Sequence, residues 1–172
     1  MEHTRWLDDD EQRTWRSFLA AQRLVLDRVE RRLQSNAGMP QAYYEILVRL
    51  SEAPGRTLRM SVLAESAWSS RSRLSHAVAR MEEAGWVVRR SCPTDRRGQL
   101  AELTDEGFEV LRNAAPDHVE SVREAVFDGL TAAQQAGLRE ACETLVEYLS
   151  GTGQWPVTRD AGPDGPGSAR AS

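Results

Sequence analysis

The chain has 172 residues, with 22 basic residues that are all arginine, 26 acidic ones and a formal net charge of −4. That length suits one domain with a modest core and is too short for two independent ones. No apolar run approaches the roughly 18 residues of a membrane helix, and Arg5 followed by Asp8, Asp9, Asp10 and Glu11 is no secretory pattern, so a cytoplasmic protein without a membrane segment is expected.

The first predicted element is a capped helix from about Asp10 to Leu33. Trp15, Phe18, Leu19, Gln22, Val25, Leu26, Val29 and Leu33 recur at helical spacing and form a nearly unbroken stripe, which needs a partner surface. Residues 36–40 are a break. Pro40 then suits the start of a second helix reaching about Glu52, with Tyr44, Leu47, Val48 and Leu50 inward, and Ala53-Pro54-Gly55 ends it. Thr57 to Arg59 reads as a short strand, and Met60 to Ala67 as a one- to two-turn helix packing through Leu63 and Ala64. Ser61 lies at that helix's N-terminus, where it serves either as a plain cap or as part of a phosphate contact.

The next helix, from about Ser70 to Ala84, places Leu74, Ala77, Val78 and Met81 on one stripe and Ser72, Ser75, His76 and Ala79 opposite. Ser69 or Ser70 caps it, and Gly85 supplies the left-handed stop. A helix with a small, polar outer face and Arg71 and Arg73 near its N-terminus suits the DNA major groove, although an ordinary solvated face has the same composition. Two short strands follow, Trp86 to Arg90 and Gln99 to Leu103, joined by a loop from Ser91 to Gly98 whose Pro93, Thr94 and Asp95 are turn residues and whose Arg96 and Arg97 are cations at the tip. A helix followed by such a hairpin is a winged helix-turn-helix.

Beyond the wing, Thr104 caps a long helix carrying Phe108, Leu111, Ala115, Val119, Val122 and Val126, which Pro116 should interrupt and bend. Thr131 and Gln134 make a capping box for a last helix with Leu138, Ala141, Cys142, Leu145, Val146 and Leu149 in a stripe. Residues 151–172 hold five of the twelve glycines and three of the seven prolines, which reads as a disordered tail with Trp155 as its one docking candidate. The fold class is therefore mainly α with a small β-hairpin wing: a DNA-binding lobe at about 40–103, flanked by helices at about 10–35 and 104–149 whose surplus apolar surface implies dimerisation.

Charge is segregated within this layout. Residues 68–100 carry seven arginines against three acids, so the remainder is strongly acidic and attraction for phosphate is focused on one region. Cys92 and Cys142 lie in unlike contexts and, with His3, His76 and His118 scattered, suggest neither a disulfide framework nor a metal site. No nucleophile, base or metal cluster appears at recognisable spacing, so no enzyme and no cofactor is expected. A winged-helix module that binds protein in place of DNA is the competing class, and the arginine wing tip argues against it.

The stretches Ser70-Arg71-Ser72, Leu74, Arg80-Met81-Glu82, Ala84-Gly85, Arg89-Arg90, Asp95-Arg96-Arg97-Gly98 and Leu103-Thr104-Asp105-Glu106-Gly107 follow one another in an order and spacing that resembles the MarR family of winged-helix transcriptional regulators. The resemblance extends over about residues 10–150. It implies a repressor that acts as a homodimer on an inverted-repeat operator in double-stranded DNA. Its terminal helices would interleave between subunits, and Ser61, Arg71, Ser72, Arg73, Ser75, His76, Asp95, Arg96 and Arg97 would face DNA. Arg97 matches the family's minor-groove arginine, oriented by Asp95, whereas Arg73 departs from a position often held by a small residue. The resemblance also implies release by a small aromatic anionic ligand in a crevice bordered by Trp15, Tyr43, Tyr44 and His118. Some relatives respond to oxidants instead. Cys92, set among wing arginines, is the candidate thiol for that alternative.

Overall fold

The computed structural model describes residues 4–66, 71–92 and 95–150, the side chains of Ser66, Arg71, Asp95, Arg96 and Arg97 excepted. The 151–172 tail and Trp155 lie outside the described residues. Helix α1 spans Asp9–Ala37 and α2 spans Gln41–Glu52. A 3-10 turn at Pro54–Arg56 leads into β1, Thr57–Arg59, and then α3, Met60–Ser66. Helix α4 is Arg71–Glu83, β2 is Val87–Cys92 and β3 is Asp95–Leu103. Helix α5, Asp105–Val122, passes through a π-helical turn at Arg123–Phe127, and α6 occupies Ala132–Ser150.

Helix α1 starts on a capping box, Asp8 accepting from the Glu11 amide at 2.8 Å while Glu11 accepts from the Asp8 amide at 3.0 Å. It runs four residues past the predicted end at Leu33. Residues 34–37 contain no breaker, Arg32 and Asn36 bond Asp117 on α5 at 3.1 and 2.8 Å, and the stop falls to Gly38 with φ 64°.

Met39, Leu47, Leu50, Leu63, Val78, Met81, Val87, Ala101 and Leu111 are fully buried in one core that joins α2–α5 to the sheet. Each large aliphatic side chain there contributes on the order of 1.5–3 kcal/mol. From α1, only Val29 and Leu33 are buried, both at its C-terminal end. The stripe predicted farther up α1 is on the surface of the single chain: Trp15, Phe18, Leu19 and Leu26 are exposed. Helix α6 buries none of its residues.

The sheet is antiparallel in the order β1-β3-β2, so the short first strand pairs Thr57 with Glu102 and Arg59 with Leu100. Strands β2 and β3 extend farther into the wing than the turn-rich composition of residues 91–98 predicts. Register runs from Val87↔Leu103 to Ser91↔Gln99 and then jumps to Cys92↔Asp95, leaving 96–98 as an irregular stretch. Ladder hydrogen bonds thus outweigh local turn propensity up to the bulge.

Pro116 does not interrupt α5. The residue is exposed, and so is Arg112, whose carbonyl loses its usual i+4 donor and can turn to water. The irregularity comes later, where the Asp128 amide donates to the Arg123 carbonyl at 2.9 Å, five residues back. The Thr131–Gln134 capping box forms as predicted, with bonds of 2.9 and 3.3 Å. No helix among the described residues is long and apolar enough to cross a membrane.

Candidate nucleic-acid interface

Helix α4 is built as its sequence periodicity dictates. Leu74, Val78 and Met81 face the core at 2%, 0% and 0% exposure, while Ser72, Arg73, Ser75 and His76 lie on the exposed side. Helix α3 does the same on a smaller scale, burying Leu63 and Ala64 and exposing Ser61 and Val62. The exposed face of α4 is short and polar apart from Arg73 and Arg80, while α3 also presents Val62 and Glu65. The Arg71 side chain and those of Asp95, Arg96 and Arg97 lie outside the described residues, so the predicted bond from Asp95 to Arg97 does too.

The wing is tied to this pair at several points. At the corner, the Trp86 amide donates to the Met81 carbonyl at 2.9 Å, and Gly85 turns with φ 77°. Farther along, Glu82 of α4 reaches β2, accepting from the Arg89 amide at 2.9 Å and pairing with the Arg89 guanidinium. Arg90 pairs with Glu102 across the β2–β3 ladder. Arg89 and Arg90 therefore carry structural ion pairs, which their place in a run of arginines does not reveal. Arg80 bonds Glu83 at 2.9 Å on the open surface.

The sheet is anchored to α5 on its other side. Thr104 accepts from the Gly107 amide at 2.9 Å and donates its hydroxyl proton to the Gly85 carbonyl at 2.7 Å. Gly107 is needed for that approach: a Cβ there would lie 2.1 Å from the Trp86 carbonyl oxygen. Arg56, held at φ 52°, stacks its guanidinium 3.9 Å from the Phe108 ring centroid and bonds Asp105 at 3.0 Å, fastening the turn before β1 to the start of α5. Neither contact leaves a signal in sequence periodicity.

The residues assigned to a ligand crevice do not converge within one chain. Tyr44 and His118 pack ring on ring, centroids 4.1 Å apart, at the α2–α5 contact. Trp15 stacks instead on Phe18 at 6.0 Å and borders a hollow with Trp6 and Leu7. Tyr43 is half-buried on α2. Burial, with Glu52 nearby, pushes the Tyr44 phenol up to about 12, and burial lowers the His118 imidazole, which Asp117 partly offsets. The His118 Nδ1 and Ser121 Oγ are both buried without a hydrogen-bond partner among the described residues. A separate cleft of about 220 Å³ lies between α1 and α5, lined by the apolar Leu33, Met39 and Val110 and the polar Asn36, Asn113 and Asp117.

Cys92, expected to present a thiolate to oxidants, is only 7% exposed. The wing strands enclose it because β2 reaches to this residue, which removes the accessibility that the redox alternative requires. Cys142 is exposed on α6. No group of three or more His, Cys, Asp or Glu side chains among the described residues is placed to hold a metal.

The sequence model of the MarR family matches residues 37–98, the span from the end of α1 to the wing. The chain is 30% identical over 128 residues to the HTH-type transcriptional regulator PecS of Dickeya dadantii, covering 73% of this chain and 76% of the relative. Among solved structures it is similar to Sco3205, a MarR family transcriptional regulator from Streptomyces coelicolor crystallised in complex with DNA. That match has 54% identity and a TM-score of 0.82, over 87% of this chain and 93% of the other. AbsC, a MarR family regulator from the same organism, matches at 45% identity and a TM-score of 0.81, over 87% of this chain and all of that one, 100%. With the winged pair of helices in place and relatives at this level over most of its length, the chain belongs to the MarR family of transcriptional regulators.

Proposed function

We propose that this regulator is a sequence-specific, double-stranded-DNA-binding repressor, working in the cytoplasm as a symmetric homodimer and released from its operator by a small ligand. The observation that carries the DNA reading is α4: three core residues seat it on the domain while Ser72, Arg73, Ser75 and His76 stay exposed on the side away from the core. Those four side chains read base edges, Arg71 reads or holds phosphate, and Ser61 on α3 steadies the backbone. Arg96 and Arg97 at the wing tip reach phosphate and the minor groove, Asp95 orienting Arg97. The crystallised Sco3205–DNA complex supports the reading by similarity.

Dimerisation is assigned to α1, α5 and α6, the elements flanking the 40–103 lobe. The exposed Trp15, Phe18, Leu19, Leu138 and Leu145 support it. For the ligand, the α1–α5 cleft is a candidate hollow; Asp117 on its lining holds Arg32 at 3.1 Å, and Glu124 holds the same guanidinium at 3.3 Å. The test of the reading is titration of a labelled duplex, taken from the DNA flanking the gene, at rising salt. Binding to that duplex in preference to scrambled DNA, with log affinity falling linearly in log salt, is expected. Absence of any such binding, together with capture of a protein partner through the wing, would establish the interaction-module alternative.

A further inference from the structure

We infer that Glu82 is a positioning residue for DNA reading, locking the angle between the reading helix and the wing. The inference rests on the DNA-binding reading above and concerns how two separate reading elements are kept in one geometry. Strand β2 is the outer strand of the sheet, so every second backbone amide on it points away from β3. The Arg89 amide is one of these, and its acceptor is the Glu82 carboxylate of α4 at 2.9 Å. The other carboxylate oxygen holds the Arg89 guanidinium, so one side chain satisfies an edge-strand donor and a cation together.

The position of this bond matters more than its strength. Helix α4 and β2 already meet at the corner, where the Trp86 amide bonds the Met81 carbonyl. With Val87 packed in the same core as Leu74, Val78 and Met81, that corner holds only the base of the strand. The second attachment, three residues along at Arg89, fixes the strand's direction farther out. From Trp86 to Cys92 the strand extends about 20 Å, at roughly 3.3 Å per residue, so a rotation of about 10° at the corner would move the wing tip by roughly 3–4 Å. Such a shift exceeds the tolerance of a hydrogen bond. The Glu82 and Arg89 side chains are 28% and 30% exposed, shielded enough for the pair to resist screening. Arg90 is braced separately by Glu102, within the wing, so it fixes the wing's shape and not its angle to α4.

A positioning role and a general stabilising role predict different outcomes. The probe is the duplex that the wild-type protein enriches from a randomised pool, compared with its scrambled counterpart. Glu82→Ala is expected to weaken binding to the enriched duplex by about ten-fold, the equivalent of one lost base contact, and to leave scrambled-DNA affinity within about two-fold. Glu82→Gln keeps an oxygen for the Arg89 amide and is expected to recover most of the loss. In the DNA-free protein, amide hydrogen exchange at Arg89 should accelerate in the alanine variant and return toward wild type in the glutamine variant, with Leu74 and Val78 unchanged. Equal losses on both duplexes, unchanged affinity for the enriched one, or exchange that rises throughout the core would overturn the inference. If the wild type enriches no sequence, the DNA-binding reading itself fails, and the exchange measurement then reports a clamp with no role in reading.

Discussion

Gly107 illustrates what a single position contributes. It belongs to the Leu103–Gly107 stretch that carries the family resemblance, but the reason for glycine there is visible only once β2 and α5 are packed: the Trp86 carbonyl occupies the space of a side chain. The tightest clash is with the Trp86 backbone, which cannot swing aside as the Leu103 side chain, 2.8 Å away, can. Gly107→Ala should cost about 2–3 kcal/mol by overpacking and lower the urea midpoint of unfolding. An unchanged midpoint would mean that the corner yields freely. Arginine roles divide in the same residue-by-residue way. Arg73→Ala should change affinity at particular base pairs, whereas Arg97→Ala should weaken all operator variants and reduce the salt slope by about one unit. Parallel losses for both variants on every sequence would refute that division. Composition could separate neither pair of roles within the wing, since Arg89, Arg90 and Arg97 look alike until Glu82 and Glu102 are seen holding the first two.

Elements with a one-sided periodic pattern were readable from the chain alone. Helix α4 shows its core stripe at the predicted residues, because Leu74, Val78 and Met81 alternate with short polar side chains and a glycine marks the stop. Boundaries were less legible where long-range contacts decide them: α1 is extended by bonds to Asp117, and β2 and β3 by their mutual ladder. The α2–α5 contact likewise brings together Tyr44 and His118, residues far apart in sequence. It makes this interface sensitive to acid. His118 is held below its ordinary pKa by burial, with Asp117 pulling the other way, so the folded state prefers the neutral ring. Stability is full above the unfolded-chain pKa of about 6.5 and is lost as pH falls through the lower folded value, because the unfolded chain binds the proton first. Glu52 on α2 acts on Tyr44, whose phenol stays neutral throughout this range. In urea unfolding followed from pH 7.5 to 5, His118→Phe should keep the ring contact and flatten part of the acid slope. Identical slopes for the two proteins would assign the acid sensitivity elsewhere.

At the scale of the molecule, one core joins the lobe to α5 and to the C-terminal end of α1, and the outer part of α1 and all of α6 stand outside it. The lobe buries its own apolar residues, while the outer part of α1 and all of α6 present Trp15, Phe18, Leu19, Leu138, Leu145 and Leu149 to solvent. These side chains form stripes that sequence periodicity locates but cannot match to a partner, because no complementary surface covers them among the described residues. The proposed homodimer would supply it from a second copy, since a two-fold axis lets each stripe meet its counterpart. In that proposed dimer the axis also constrains the DNA: two α4 helices related by it would enter successive major grooves on one side of the duplex. The operator should therefore be an inverted repeat with half-site centres about 10 bp apart. Sedimentation at micromolar concentration should give a dimer, and inserting about 5 bp between half-sites should abolish tight binding by rotating one of them to the far side. Reinsertion to about 10 bp should restore the face but not the reach of a rigid dimer. A stable monomer in solution, or a footprint over one asymmetric half-site that tolerates the 5 bp insertion, would break the link between the exposed helices and the symmetry of the site.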